Sequence, residues 1–186
     1  MTRFNLRTAI GALAAAVVLA FAAQSYAKTD SELINAARQT VMTFQKTDPG
    51  LSTFFAKSAG YAVFPSVGKG GFGVGGAYGE GVVFQNNQPI GRAKLTQVSV
   101  GAQVGGQEFS QVIFFETTAD LAHFVQGNYA FSGNVSAVAL KSGASASAKY
   151  REGVAVFTAT KGGLMLEASV GGQKFSYEPF VTIEKK

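Results

Sequence analysis

The glycine-rich segment Gly68–Gly81, which reads GKGGFGVGGAYGEG, is the first candidate for chemistry in this chain. Gly71, Gly73 and Gly76 have the G-x-G-x-x-G spacing, in which glycines let a backbone approach a pyrophosphate at a helix N-terminus. That chemistry needs a helix next and an acidic residue about 20 positions further on, but an extended run and a basic stretch at Arg92 follow instead. The Walker spacing fails because no Ser or Thr follows the Gly-Lys pair. We therefore predict no nucleotide site and interpret the glycines as places where a strand bends or another backbone approaches closely.

Side chains for catalysis or metal binding are few. His123 is the single histidine, and it follows Asp120 by three residues on a short predicted helix, which is typical of a surface pair. The chain has no cysteine and no nucleophile-elbow, zinc-protease or calcium-loop motif. Its carboxylates are scattered, as solvated surface groups are. We therefore predict a protein that is not an enzyme and that uses no cofactor and no metal.

The N-terminus has the pattern of a secretory signal peptide. Arg3 and Arg7 precede an apolar run over 10–23, and Ser25-Tyr26-Ala27 supplies small residues for cleavage after Ala27. The run is shorter than the roughly 20 residues of a membrane-spanning helix. We predict a signal peptide over 1–27 and one mature domain over 28–186, located in the periplasm, with outer-membrane association or secretion as alternatives.

The charge of the chain argues against nucleic-acid binding. The net charge is +5, and loss of Arg3 and Arg7 with the signal peptide lowers it to +3. A nucleic-acid-binding domain usually has a larger and clustered excess of basic residues. We therefore expect no nucleic-acid partner.

Three helices are predicted from capping signals. Thr29 and Glu32 have the spacing of a capping box, and a helix follows to about Lys46. Asp48-Pro49 is typical of a second helix start, and Gly60 of its left-handed end. A third helix begins near Thr117-Thr118-Ala119-Asp120.

Alternating hydrophobicity predicts strands through most of the remaining chain. In the run 97–104, Val98 lies on the apolar face that we expect to be buried, and Gln97 lies on the polar face. Asn86-Asn87-Gln88-Pro89 predicts a turn. Other predicted strands cover 61–64, 72–78, 82–85, 110–116, 134–147, 154–160 and 164–170. The predicted fold is α+β: a strongly curved, glycine-rich antiparallel sheet or partly closed barrel, with two N-terminal helices and one short inserted helix.

A short repeat predicts similar strand reversals at two places. Val104-Gly105-Gly106-Gln107 recurs as Val170-Gly171-Gly172-Gln173. Glycine supplies the positive φ that tight turns require. We therefore expect hairpin turns at both Gly-Gly pairs rather than two ligand sites.

Four blocks of the mature chain together resemble the SYLF domain family. They are AGYAVFP at 59–65, KGGFGVGG at 69–76 with Gly79 and Gly81 after it, GAQVGG at 101–106, and KGGL at 161–164 continuing to Glu167. The resemblance implies binding of anionic lipids, including phosphoinositides in eukaryotic members, some of which also bind actin. This chain departs from those members because it has no tryptophan.

The resemblance also suggests where lipid would bind. It implies a basic lipid-binding site at Lys69, Arg92, Lys94 and Lys161. Phe72 and Tyr78 lie in the same glycine-rich region, where an exposed ring beside Lys69 would insert into a membrane interface. The alternatives are that the cations keep a β-rich surface soluble and that the rings pack in the core.

Two functional hypotheses follow. The first is a non-catalytic, exported domain that binds anionic phospholipid or lipopolysaccharide headgroups. The second is an envelope protein-interaction or structural module, which would use sheet edges or the Arg38 face of the first helix for a protein partner.

Overall fold

The computed structural model describes residues 28–160 and 168–181, except for the side chains at 71–74, 99–105 and 168–169. The predicted signal peptide and Lys161 lie outside the described residues. The described chain forms three helices, seven strands and one 3₁₀ turn. In order these are α1 (Asp30–Thr47), α2 (Leu51–Lys57), β1 (Gly60–Gln85), β2 (Gln88–Phe115), α3 (Thr118–Val125), β3 (Tyr129–Ala130), β4 (Ser136–Ala139), the 3₁₀ turn (Ala144–Ala146), β5 (Val154–Thr160), β6 (Ala168–Ser169) and β7 (Lys174–Pro179).

Strand β2 is the centre of the sheet. One of its edges pairs with β1 along most of its length, while the other pairs with β7 near its start and with β5 near its end. β3 pairs with β7, β4 pairs in parallel with β5, and β6 pairs with β4. Asn86 and Asn87 join β1 to β2 with φ angles of 51° and 61°, as a type I′ turn requires. The predicted turn is confirmed at Asn86-Asn87, whereas Gln88 and Pro89 already belong to β2.

Two glutamines show how strongly β2 curves. Gln97 donates to the carbonyl oxygen of Gly171 at 3.1 Å, and Gln111 donates to the side chain of Gln173 at 2.8 Å. A straight strand would separate Gln97 from Gln111 by about 46 Å, yet both reach one three-residue turn. The sheet is therefore a strongly curved half-barrel, concave on the face that carries these glutamines, and the predicted α+β fold is confirmed.

Two hydrophobic clusters lie on the two faces of this sheet. The concave, inner face packs against α3, and the outer face packs against α1 and α2. The inner cluster includes Phe64, Ile113, Phe115, Phe124 and Phe175. The outer cluster includes Leu33, Phe44, Phe55, Phe84 and Phe114.

The predicted helices are present, with corrections at the second one. Thr29 and Glu32 form the expected capping box, as do Thr117 and Asp120. Helix α2 starts at Leu51 rather than at the predicted proline, because Asp48 uses its carboxylate to accept from the backbone of Gly50 and Ser145.

The prediction of a left-handed Gly60 is wrong. Gly60 begins β1 and is not among the glycines of positive φ. A Cβ at this position would lie 2.7 Å from the carbonyl oxygen of Phe84. Close backbone approach, rather than helix termination, therefore requires glycine here.

Strand β1 contacts itself through its glycines. A Cβ on Gly79 would lie 2.9 Å from the carbonyl oxygen of Ser66, and one on Gly81 would lie 2.5 Å from that of Val63. Since side chains would hold these segments apart, the two halves of β1 approach each other only because these positions are glycine. The sequence predicted close backbone approach in this segment, and the structure confirms it.

Three details of the predicted strands are wrong. Gly105 and Gly106 lie inside β2, opposite β1, and form no hairpin turn. The predicted strand over 134–147 is reduced to β4 and the 3₁₀ turn. Finally, Gln97 is buried whereas Val98 is 79% exposed, because the curvature of β2 brings Gln97 onto the turn that precedes β7.

Candidate functional site

Three neighbouring strands place a row of side chains on the outer face of the sheet. Tyr78 of β1 is opposite Thr96 of β2, and Thr96 is opposite Lys174 of β7. Alternate residues of a strand project from one face, so Lys94 and Val98 project on the same side as Thr96. We call these five residues the ribbon patch.

The ribbon patch is not covered by the helices. Tyr78 is 53% and Val98 is 79% exposed, whereas Val82 and Phe84, further along the same face of β1, are buried in the cluster that α1 and α2 cover. Gly76, which is opposite Val98, has no side chain to separate Val98 from Tyr78. An apolar pair is therefore exposed to solvent where the helical cover ends.

Two lysines flank this apolar pair. Lys174 is exposed at the β7 end of the row. The Nζ atom of Lys94 lies 3.2 Å from Oε1 of Glu178, and these side chains are 37% and 65% exposed. Exposed ion pairs of this kind contribute little free energy, so a solvent anion can compete for the Lys94 ammonium. The patch thus combines apolar and cationic groups.

Arg92, one step further along the same face of β2, fastens the start of α1 to the sheet. Its Nη2 donates to Oδ1 of Asp30 at 2.8 Å and to the carbonyl oxygen of Lys28 at 2.6 Å, and its Nη1 donates to Oε2 of Glu80 at 3.3 Å. Its side chain is 14% exposed. Burial acts to lower the pKa of Arg92, but the two carboxylates outweigh it and raise that pKa.

The other residues of the predicted basic site are not gathered beside Arg92 and Lys94. Lys69 lies two residues after Val67, which is buried in the inner cluster, so strand alternation places Lys69 on the opposite face of the sheet. Lys161 lies outside the described residues, and so does the side chain of Phe72. Of the residues predicted from sequence, Arg92, Lys94 and Tyr78 share one face.

Tyr78 has both an apolar ring and a polar tip. Its hydroxyl donates to Oε1 of Glu80 at 3.2 Å. Partial burial and the nearby carboxylate of Glu80 both raise the pKa of Tyr78. The phenol is therefore neutral at ordinary pH, in the form that suits a membrane interface.

His123 and Asp120, which we predicted to be a surface pair, each contact other residues in the structure. His123 is exposed, with its ring edge-on to Tyr129 at 5.1 Å between centroids. Asp120 uses its carboxylate to accept from the backbone and hydroxyl of Thr117. Among the described residues, no three His, Cys, Asp or Glu side chains are grouped to hold a metal ion. No described helix is long and apolar enough to cross a membrane.

Comparison with known proteins identifies the family. Residues 96–179 match the model of a family described as Las17-binding protein actin regulator, Ysc84. The curated protein beta cell expansion factor A from Aeromonas veronii is 33% identical over 130 residues, which are 68% of this chain and 49% of that protein. The predicted resemblance to the SYLF (Ysc84) family is confirmed over this region. The chain spans about half the length of this curated relative.

The SYLF family is a family of non-enzymatic binding domains. The region 96–179 that matches its model contains Val98 and Lys174 of the ribbon patch, while Tyr78 and Lys94 come before it. The patch therefore contains residues from the matched region and residues from the glycine-rich segment that precedes it in the chain.

Besides Thr96, sequence reasoning missed two members of the ribbon patch that carry its apolar and cationic chemistry, Val98 and Lys174. Val98 belongs to an alternating run whose valines we expected to be buried, and nothing nearby in the sequence shows that helical cover ends before it. Lys174 joins the patch because β7 pairs with β2 across more than seventy intervening residues. Neither position has a local sequence signal.

Proposed function

We propose that this protein binds anionic lipid surfaces through the ribbon patch. The observation that carries the proposal is the exposure of Tyr78 and Val98 side by side on an uncovered sheet face, flanked by Lys94 and Lys174. The shared chemistry of the ligand is an apolar layer beneath phosphate groups, as in phospholipid and lipopolysaccharide.

Two physical terms favour this binding. Removing the apolar surface of Tyr78 and Val98 from water contributes roughly 25 cal/mol for each Å² buried. Each lysine close to an anionic membrane adds about 1 kcal/mol, and this contribution weakens as salt rises. Tyrosine also favours the headgroup region, where its ring and hydroxyl meet apolar and polar surroundings.

Co-sedimentation with vesicles tests the apolar part. The purified protein should sediment with phosphatidylglycerol vesicles at low salt and much less with phosphatidylcholine vesicles. Replacing both Tyr78 and Val98 by Ser should weaken binding about tenfold. Val181→Ser is the matched control, since Val181 is 87% exposed but lies beyond the end of β7 and outside the patch. Equal retention of the double variant and the control would refute the proposed surface.

Charge reversal tests the electrostatic part. Lys174→Glu and Lys94→Glu should each weaken binding to phosphatidylglycerol vesicles at least about fivefold. Lys141→Glu makes the same charge change at an exposed loop position outside the patch and should change binding less. Lys69→Glu in the same assay tests the Lys69 prediction.

We further propose that the protein is exported to the periplasm after cleavage behind Ala27. The charged, apolar and small-residue order of the first 27 residues supports this. N-terminal sequencing of protein from a periplasmic fraction should begin at Lys28. Recovery of an intact Met1 terminus from the cytoplasm would contradict the proposal.

A protein partner is the second candidate function, because the description of the family names the binding of a protein, Las17, and actin regulation. Crosslinking in cells separates the two. Capture of one protein in stoichiometric amount, together with no sedimentation on any vesicle, would replace lipid by protein as the ligand.

A further inference from the structure

A concave surface lies apart from the ribbon patch, between α1, α2 and the turn that joins β1 to β2. We call it the aromatic cleft. Its volume is about 520 Å³, and its described lining is Arg38, Val41, Met42, Gln45, Ser52, Phe55, Ala56, Tyr61, Phe84 and Asn87. Small-molecule sites commonly measure about 300–1,000 Å³.

Three aromatic rings form the floor of the cleft. Phe55 meets Tyr61 edge-on at 4.9 Å between centroids, and Tyr61 stacks on Phe84 at 5.1 Å with 18° between the ring planes. The hydroxyl of Tyr61 donates to Oδ1 of Asn87 at 2.9 Å. Because this bond satisfies the polar end of Tyr61, the floor offers an apolar surface.

A single ionised side chain stands above this floor among the described lining residues. The guanidinium of Arg38 lies over the Phe84 ring at 5.7 Å from its centroid. Arg38 is exposed, and no ion pair or hydrogen bond of its guanidinium is found in the described part of the chain. The cleft therefore has an apolar floor, a cationic group at its rim, and no carboxylate among its described lining residues.

We propose that the aromatic cleft binds a single-chain amphiphile with an anionic head group. The chain lies on the rings of Phe55, Tyr61 and Phe84, and the head is held by Arg38, whose planar fork suits a carboxylate or a phosphate monoester. Met42, exposed on α1 at the mouth, supplies an adaptable apolar wall. A cation would be repelled by Arg38, and a neutral alkane would leave the Arg38 guanidinium without a partner.

The aromatic cleft and the ribbon patch can be tested separately. None of the described lining residues of the cleft belongs to the ribbon patch. Phe84 and Tyr78 are six residues apart on β1, about 20 Å along a strand. Variants in one place therefore leave the other intact, and the two proposals fail independently.

Absence of tryptophan from the chain allows a clean fluorescent reporter. Met42→Trp places one indole at the cleft mouth. Titration with dodecanoate and with dodecyl phosphate, each kept monomeric, should give a saturable blue shift, and dodecyl maltoside should give a much weaker one. Calorimetry of the wild-type protein checks that the indole did not create the site.

Three further substitutions in the reporter protein test the proposal, two of them in the cleft and one a control. Arg38→Gln should weaken dodecanoate binding about tenfold, while Lys46→Gln, on the same helix but not among the described lining residues, should not. Ala56→Phe fills the cleft and should abolish binding of both anions. The proposal is overturned if wild type binds neither anion, if the neutral detergent binds equally well, or if folded Arg38→Gln binds like Lys46→Gln. A preference between dodecanoate and dodecyl phosphate identifies the head group.

Discussion

Gln111 and Gln173 form a reciprocal amide pair in the core. Nε2 of Gln111 donates to Oε1 of Gln173 at 2.8 Å, and Nε2 of Gln173 donates to Oε1 of Gln111 at 3.2 Å. Both side chains are fully buried. The pair connects the last part of β2 to the turn before β7, so it holds the curvature of the sheet by hydrogen bonds that have no competition from water.

Replacing one glutamine of this pair should lower the free energy of unfolding more than replacing both glutamines. Gln111→Leu and Gln173→Leu each leave a buried amide without its partner, at about 1–3 kcal/mol. The double variant removes both polar groups and should recover much of that loss. Urea unfolding of the four proteins gives the coupling energy, and Gln107→Leu, at an exposed position, serves as the control. Strictly additive losses would show that the two amides act separately.

The self-contact of β1 predicts opposite outcomes for two glycines. A Cβ at Gly81 would lie 2.5 Å from the carbonyl oxygen of Val63 and 2.7 Å from the ring of Phe64, whereas one at Gly68 meets nothing within 4 Å. Gly81→Ala should therefore destabilise the protein by about 2 kcal/mol or more through steric overlap. Gly68→Ala should change stability by less than about 0.5 kcal/mol. Equal urea midpoints for the two variants would contradict the close approach.

These glycines show which features a sequence can reveal. The capping boxes at Thr29 and Thr117 and the Asn86-Asn87 turn were predictable because the groups that satisfy one another are at most three residues apart. The general role of the glycine run was predictable as well. Which glycines are crowded was not, because that depends on a strand returning to contact itself.

The same distinction applies to the candidate site. Tyr78 and Lys94 were proposed from sequence and share a face, but Lys69 does not join them. Lys69 and Tyr78 lie nine residues apart on the continuous strand β1, and an odd spacing places two side chains on opposite faces. Burial of Gln97 likewise depends on a turn that is distant in sequence.

Asp48 gives a prediction with a definite pH dependence. Burial acts to raise its pKa, but the backbone and hydroxyl of Ser145 and the backbone amides of Gly50 and Gly143 outweigh it and hold the pKa below 3.8. A carboxyl group whose pKa is lower in the folded state than in the unfolded state stabilises the fold at pH values above its unfolded-state pKa. This stabilisation is lost as the pH falls through its folded-state pKa.

Asp48→Asn should consequently lower stability near neutral pH by about 1 kcal/mol. As the pH falls below the usual range of an aspartate, the gap between variant and wild type should shrink, because wild-type Asp48 becomes protonated. Urea midpoints across this range measure it. Glu116→Gln, at an exposed position, controls for loss of a carboxylate. A gap that is constant or grows on acidification would contradict the assignment.

We expect different roles for Arg92 and Lys94: Arg92 stabilises the fold, and Lys94 binds the lipid surface. The guanidinium of Arg92 holds Asp30 at the start of α1 and Glu80 of β1, so Arg92→Gln leaves two carboxylates without their partner. We expect a loss of about 1–3 kcal/mol, since Glu80 is largely buried. Lys94→Gln breaks only an exposed pair and should change stability by less than about 0.5 kcal/mol, while weakening vesicle binding. An Arg92→Gln protein with unchanged urea midpoint and reduced vesicle binding would instead make Arg92 a headgroup ligand, as the family resemblance implied. The two readouts together therefore assign each cation.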